Sequence, residues 1–295
     1  MKILITGEKS YVGINLKKWL IQFPDKYTVD FISLRNDNWK EVDFSVYDVL
    51  FHAAALVHLK EHLDMESSYM KVNRDLTIEL ADKAKRSGIN HFIFMSTISV
   101  YGLSGNVGKE LVIDKYTPCN PTTLYGKSKL KAEIELSKLN DENFKVAIMR
   151  APMIYGPNCP GNYARLRKLV KLIPIFPNIN NKRSMIFIDN LSEFIRLIIE
   201  NKDFGLFFPQ NKEFVDTTEL VKLISKENSK KIYFSRVLAF GIFQLRKQIN
   251  IVDKVFGNLV IDSNLSNYLN FNYCVADLAK SVVICESKDK EKVLL

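Results

Sequence analysis

Tyr125 and Lys129 stand four residues apart in Tyr125-Gly126-Lys127-Ser128-Lys129, a phenol and an ammonium at one helical repeat. Positions i and i+4 of a helix share a face, with Cβ atoms roughly 5–6 Å apart. A fixed positive charge at that range favours the phenolate and lowers a pKa that begins near ~10. The expected product is a proton donor and acceptor usable near neutral pH, as reduction or oxidation at a carbonyl or alcohol carbon requires. The same spacing also arises on exposed basic helices, and this chain has 42 Lys plus Arg. The pair gains meaning only from the elements that would position it.

The first such element is Met1-Lys2-Ile3-Leu4-Ile5-Thr6-Gly7, a short apolar run ending in glycine, as a buried parallel strand does. Leu16, Leu20 and Ile21 then carry a helical period. Strand, turn and helix N-terminus together make a pyrophosphate site, because free N–H groups and the positive dipole end face the anion. The loop reads Gly7-x-x-Ser10-x-x-Gly13, with Ser10 where the middle glycine is usual. Serine is small enough to be tolerated there, and its hydroxyl is a candidate phosphate ligand.

Val29 to Arg35 reads as the second strand, whose end selects the cofactor about 20 residues beyond a glycine loop. An acid there would bind the ribose hydroxyl of NAD, but the positions hold Ser33, Leu34 and Arg35. Arginine pairs with a 2′-phosphate, so NADP(H) is favoured, while nearby Asp37 keeps NAD(H) open. Tyr47 to Ala55 is a third buried strand ending in Ala53, Ala54 and Ala55, small enough for a cofactor to lie against the backbone. His52 reads as a packed strand-end residue rather than a general base. A helix bearing Val72-Asn73 follows, then the strand His91 to Met95 and the hydroxyl-rich run Ser96-Thr97-Ile98-Ser99. Ligands of open parallel sheets sit at the carboxyl ends of strands, which places Thr97 for a substrate oxygen. After Pro118 and Pro121 comes the Tyr125 helix, and Phe144 to Arg150 is a further strand. These repeated units predict an α/β chain, a doubly wound parallel sheet of the Rossmann type with a smaller C-terminal α/β part.

From about residue 154 the texture changes to a long loop, Ile154 to Asn162, and a basic helix around Arg165 to Lys171. The expected division is 1–153 plus about 184–200 for the dinucleotide-binding part, and about 154–183 with 201–295 for the substrate part.

Composition is that of a globular chain, 47% hydrophobic and 25% charged. No stretch reaches the ~18 apolar residues of a membrane span, so no membrane insertion is expected. A formal charge of +9 raises nucleic acid or an anionic membrane surface as partners. The basic residues read as dispersed rather than gathered with aromatics on one stripe, so no nucleic-acid partner is expected. A positive field also helps to capture a diphosphate-bearing substrate. Cys119, Cys159, Cys274 and Cys285 lack metal-ligand spacing and read as reduced thiols of a cytoplasmic protein. An apolar strand beginning at residue 2 leaves no room for a signal peptide.

Taken in order, seven segments resemble the extended short-chain dehydrogenase/reductase family, the NAD-dependent epimerase/dehydratases of nucleotide sugars, over essentially the whole chain. They are Thr6-Gly7…Gly13, His52-Ala53-Ala54, Val72-Asn73, Ser96-Thr97…Val100-Tyr101-Gly102, Tyr125-x-x-x-Lys129, Arg150…Tyr155-Gly156-Pro157 and Arg183…Phe187-Ile188-Asp189. The resemblance implies catalysis by Thr97, Tyr125 and Lys129. It implies cofactor contacts at Gly7, Ser10, Tyr11, Val12, Ala53, Ala54 and Pro152, with Lys129 also bonding the nicotinamide ribose. It places Asn162 and Arg183 on the nucleotide pyrophosphate of a UDP-sugar substrate. Relatives that eliminate water carry Asp-Glu after the catalytic threonine, whereas Ile98 and Ser99 follow Thr97 here. Hexose 4-epimerases carry an acid at the Ser33 position and usually an asparagine at the Met153 position. The stretch from Gly161 to Leu191 is most similar to bacterial capsule and O-antigen 4-ketoreductases. Those enzymes reduce UDP-4-keto-6-deoxy-N-acetylhexosamines to UDP-N-acetyl-fucosamine or -quinovosamine. The expected activity is therefore NAD(P)H-dependent reduction at C4. A 4-epimerase with tightly held NAD is the alternative, and a non-catalytic nucleotide-binding regulator stands behind it. A homodimer is expected, through a helical contact that includes the Tyr125 helix.

Overall fold

The computed structural model describes residues 1–57, 62–245 and 250–293. In chain order its strands are β1 (Lys2–Thr6), β2 (Thr28–Ile32), β3 (Val49–His52), β4 (His91–Thr97), β5 (Val112–Ile113), β6 (Lys145–Ala151), β7 (Met153–Tyr155), β8 (Ile175–Pro177), β9 (Met185–Phe187), β10 (Gly205–Phe207), β11 (Tyr233–Ser235) and β12 (Val260–Ile261). The helices that matter here are α1 (Tyr11–Leu20), α2 (Glu66–Met70), α3 (Leu76–Arg86), α4 (Leu124–Leu139), α5 (Asn162–Leu172), α6 (Ile188–Asn201), α7 (Thr217–Glu227) and α8 (Arg236–Leu245). The chain folds into two compact units, one of residues 1–102, 118–151 and 191–209, the other of 103–117, 152–190 and 210–295.

The first unit holds a six-stranded sheet in the order β10-β6-β4-β3-β1-β2. All its pairings are parallel. Parallel strands covered by helices are apolar on both faces, and here Ile3, Leu4, Ile5, Leu50, Phe51, Phe92, Ile93 and Phe94 are fully buried. The chain starts at β1, steps to β2 on one side, then returns to β3 on the other. Such a reversal opens a crevice beyond the carboxyl ends of the two strands that flank it. Gly7 follows β1, and Ala53 and Ala54 follow β3, so the sheet order brings these three sequence-predicted positions to one place.

Several segments group differently from the sequence expectation, among them 184–190, expected in the dinucleotide part, which clusters with the second unit, where β9 pairs with β7. Gly205–Phe207, expected in the substrate part, pairs with β6 and completes the first unit's sheet. Residues 103–117, expected in the dinucleotide part, cluster with the second unit, where β5 pairs with β12. In each case a two- or three-residue strand decides the grouping, too short to show a period. The second unit is built on three further parallel pairs, β5 with β12, β7 with β9 and β8 with β11.

Candidate active site

Gly7 has φ +81, a conformation that side-chain-bearing residues rarely adopt, and a Cβ there would lie 3.1 Å from the Ala54 amide nitrogen. The turn closes through the Ser10 amide, which donates to the Gly7 carbonyl at 2.7 Å. Ser10 then caps α1, its Oγ accepting from the Gly13 amide at 3.1 Å. The serine in the middle-glycine place thus commits its oxygen to the helix, and only its hydroxyl proton is left to meet a phosphate. Tyr11 and Val12 form the start of α1, where the positive end of the helix dipole lies. A cradle that a Cβ would fill, set against a helix N-terminus, fits the phosphates of a dinucleotide.

A buried relay fixes the two strand ends. Thr6 Oγ1 accepts from the amides of Ala53 at 3.2 Å and Ala54 at 3.3 Å, and donates to His52 Nδ1 at 2.7 Å. His52 Nε2 donates to Thr77 Oγ1 at 2.9 Å, which in turn donates to the Asn73 carbonyl at 3.0 Å. This order of donors requires a neutral ring. Burial, with the Lys129 ammonium adding to it, pushes the His52 pKa well below the ordinary histidine value. Beyond β2, Ser33 and Leu34 are half-buried and Arg35 is exposed. Asp37, the acid nearest that selector position, is paired with Lys40 at 3.3 Å.

At the same carboxyl edge of the sheet, Thr97 closes β4. Its Oγ1 accepts from the Ser99 amide and donates to the Ser99 hydroxyl, both at 3.1 Å, and so turns the chain into the 3-10 segment Ile98–Tyr101. Thr123 caps α4 by accepting from the Gly126 amide at 3.0 Å. The first turn of α4 then presses on the turn after Thr97, where a Cβ at Gly126 would sit 2.5 Å from the Ser99 carbonyl oxygen. Gly126 is therefore the residue that lets the Tyr125 backbone come alongside the Thr97 turn.

One turn further along α4, Lys129 is 1% exposed. Its Nζ donates to the Met95 carbonyl at 2.8 Å and lies 4.3 Å from the Phe94 ring centroid. Burial pulls its pKa down to about 7, with Glu133 opposing. Tyr125 is half-buried, and its phenol is pushed upward by burial and then by the neighbouring Tyr69 phenol. The sequence expectation of a lowered phenol is corrected here. Helix spacing puts the ammonium on the right face, but the apolar surroundings penalise phenolate and ammonium alike.

Two supports of this arrangement were given no role from the sequence, although Asn73 and Arg150 stand in segments that carry the family resemblance. Asn73, in a π-helical turn over Lys71–Asp75, accepts from the Leu56 amide at 2.7 Å. Its Nδ2 donates to the Leu56 carbonyl and to Ser128 Oγ, each at 3.0 Å, tying the loop after Ala54 to α4. Glu133, one turn beyond Lys129, receives Arg150 Nη2 at 2.7 Å and the Ser96 hydroxyl, while Arg150 Nη1 donates to Tyr101 Oη at 2.8 Å.

The remaining sequence-predicted residues lie in the second unit. Pro152 follows directly on β6, and Asn162 is exposed at the first position of α5, after Gly161 with φ +91. Arg183 exchanges backbone hydrogen bonds with Val215 at 3.0 and 2.9 Å, and its Nη1 donates to the Gly257 carbonyl at 3.4 Å. Burial lowers its guanidinium pKa.

Comparison with known proteins gives a consistent picture. The sequence profile of the NAD dependent epimerase/dehydratase family matches residues 3–207. UDP-glucose 4-epimerase of Vibrio cholerae is 31% identical over 287 residues, 88% of this chain and 87% of the relative. An N-acetyl-α-D-glucosaminyl-diphospho-ditrans,octacis-undecaprenol 4-epimerase of Escherichia coli O157:H7 is 27% identical over 181 residues, 59% of this chain and 53% of that protein. Among solved structures, UDP-glucuronic acid 4-epimerase from Bacillus cereus in complex with NAD superposes with a TM-score of 0.74. It shares 20% identity, and the match covers 99% of this chain and 97% of that one.

Proposed function

The chain belongs to the NAD dependent epimerase/dehydratase family, and from that premise we propose that it reduces the C4 ketone of a UDP-4-keto-6-deoxy-N-acetylhexosamine. The product would be UDP-N-acetyl-fucosamine or -quinovosamine for capsule or O-antigen polysaccharide. The observation that carries the reading is the close packing of Gly126 on Ser99, which holds the Tyr125 turn against the Thr97 turn with Lys129 buried one turn along.

Gly7, Ser10, Tyr11, Val12, Ala53, Ala54 and Pro152 would hold the nicotinamide cofactor, which supplies hydride when bound. Arg35, exposed at the selector position, supports NADP(H) over NAD(H). Tyr125 delivers a proton to the developing O4 alkoxide. Thr97 donates a hydrogen bond to the same oxygen and stabilises the charge as it forms. Lys129 fixes the local field at Tyr125, and Arg183 with Asn162 hold the substrate diphosphate. Tyr125→Phe is expected to keep cofactor binding and to lose ~10²–10⁴-fold in turnover, the usual contribution of a general acid. A rate within a few-fold of the parent would remove Tyr125 from the role.

A second reading has its own support in the Vibrio cholerae relative, a UDP-glucose 4-epimerase matched over most of both chains. One experiment separates the two. The enzyme is offered UDP-2-acetamido-2,6-dideoxy-xylo-hexos-4-ulose with NADPH or NADH, and separately UDP-glucose without added cofactor. A reductase consumes reduced nicotinamide in step with the keto sugar, and NMR of the product gives its C4 configuration. An epimerase purifies with bound NAD, interconverts the UDP-hexoses with no addition and leaves the reduced cofactor untouched.

A further inference from the structure

In the second unit, α5, β8, β11 and α8 present a run of apolar side chains to solvent. Leu172 is 77% exposed, Tyr233 72%, Val237 84% and Phe240 66%. The run is continuous because β8 follows α5 closely and pairs with β11, setting Tyr233 opposite Ile175. Lys230 Nζ donates to the Lys171 carbonyl at 3.0 Å, joining the end of α5 to the approach to β11, and α8 starts directly after β11. On α5, Arg165, Lys168, Leu169 and Leu172 fall at i, i+3, i+4 and i+7, a single stripe that passes from cationic to apolar. On α8, Val237 and Phe240 are one turn apart beside Arg236.

The segments that form this face carry charge of one sign. Residues 162–177 and 228–245 contain no aspartate or glutamate, while Arg165, Lys168, Lys171, Lys230, Lys231 and Arg236 surround the apolar run. The +9 of the chain is therefore locally concentrated here, unlike the dispersed pattern read from the sequence.

We propose that this face docks on an anionic lipid bilayer, with α8 lying in the plane of the interface. Apolar and aromatic side chains flanked by lysine and arginine are what an interfacial segment needs, and binding combines buried apolar area with attraction to acidic headgroups. No described helix is long and apolar enough to cross a membrane, so the contact is with one leaflet. A second copy of the chain fits less well, since an isologous pairing would set two cationic faces against each other. The proposal is independent of the catalytic reading.

The test is co-sedimentation of the full chain with vesicles of phosphatidylcholine alone or mixed with phosphatidylglycerol, over a range of salt. Binding is expected to the mixed vesicles only and to weaken as salt rises. Arg236→Ser and Lys231→Ser should each weaken it roughly five-fold, the share of one cation near an anionic surface. Phe240→Ser should weaken it about ten-fold or more, from lost apolar burial, with the melting temperature unchanged. Failure to sediment with acidic vesicles overturns the proposal, as does binding indifferent to Phe240→Ser. A concentration-dependent dimer that Phe240→Ser abolishes, without vesicle binding, assigns the face to a second copy and also overturns it. Vesicle binding is read without turnover, so a failed activity assignment leaves this result standing.

Discussion

Lys129 carries its ammonium into the apolar ground beneath β4, and the cost shows in its proton affinity. An unfolded lysine titrates near ~10.4. With the folded value at about 7, the native chain binds fewer protons than the unfolded one across the interval between. Stability from this group is therefore complete above the unfolded value, falls as pH drops toward 7 and is level below that. Lys129→Met removes the buried charge and keeps the volume. It is expected to abolish turnover, to melt no lower than the parent at pH 7 and to lose the rise in stability between pH 7 and 10. Melting curves at several pH values decide this, and a marked loss at pH 7 would show the ammonium to be stabilising. The Tyr125–Lys129 pairing was legible because helix geometry depends on spacing alone. The direction in which Tyr125 titrates was not, because it depends on burial and on Tyr69, which the fold brings in from outside the helix.

Among the elements, α4 is positioned by what it lacks at residue 126. Helix propensity favours alanine over glycine by ~1 kcal/mol. A Cβ 2.5 Å from a backbone carbonyl reverses the preference, because neither α4 nor the Thr97 turn can yield cheaply. Gly126→Ala is expected to lower stability by ~1–3 kcal/mol, the range for overpacking, and to depress turnover more than cofactor affinity. Urea midpoints and initial rates check it, and a stabilised, fully active variant would show the contact to be slack. Asn73→Ala removes the clamp between the loop after β3 and α4 and leaves the Leu56 amide and carbonyl without that partner. About 1–3 kcal/mol should be lost, read by the same midpoints. Strands β1, β3 and β4 were legible as unbroken apolar runs. β10 was not, since it spans three residues and Leu206 within it is 45% exposed. The Asn73 clamp was hidden for another reason. Its partners lie 17 and 55 residues away, beyond any local pattern.

Over the whole molecule, the chain leaves the first unit and returns to it through α6. Glu200 on that helix receives Tyr27 Oη at 2.7 Å and Lys26 Nζ at 2.9 Å, with Arg196 also paired to it at 2.7 Å. Burial alone would raise its pKa, but these partners hold it at about 2. An unfolded glutamate titrates near ~4.3, so this stabilisation is present above that pH and disappears as pH falls toward 2. Glu200→Gln is expected to destabilise the protein at pH 7 and to match the parent near pH 2, as urea titrations across that range would show. Trp19 depends on the same return, donating through Nε1 to Glu193 at 2.8 Å. Synthesis runs in one direction, and the ribosome delivers 152–190 before the segment that completes the first unit. Until Gly205–Phe207 clears the exit tunnel, β6 is an open edge on a nascent chain, exposed to the wrong strand. The sheet that carries the site can close only after much of the second unit has been translated, and through that interval chaperones have an unpaired border to guard.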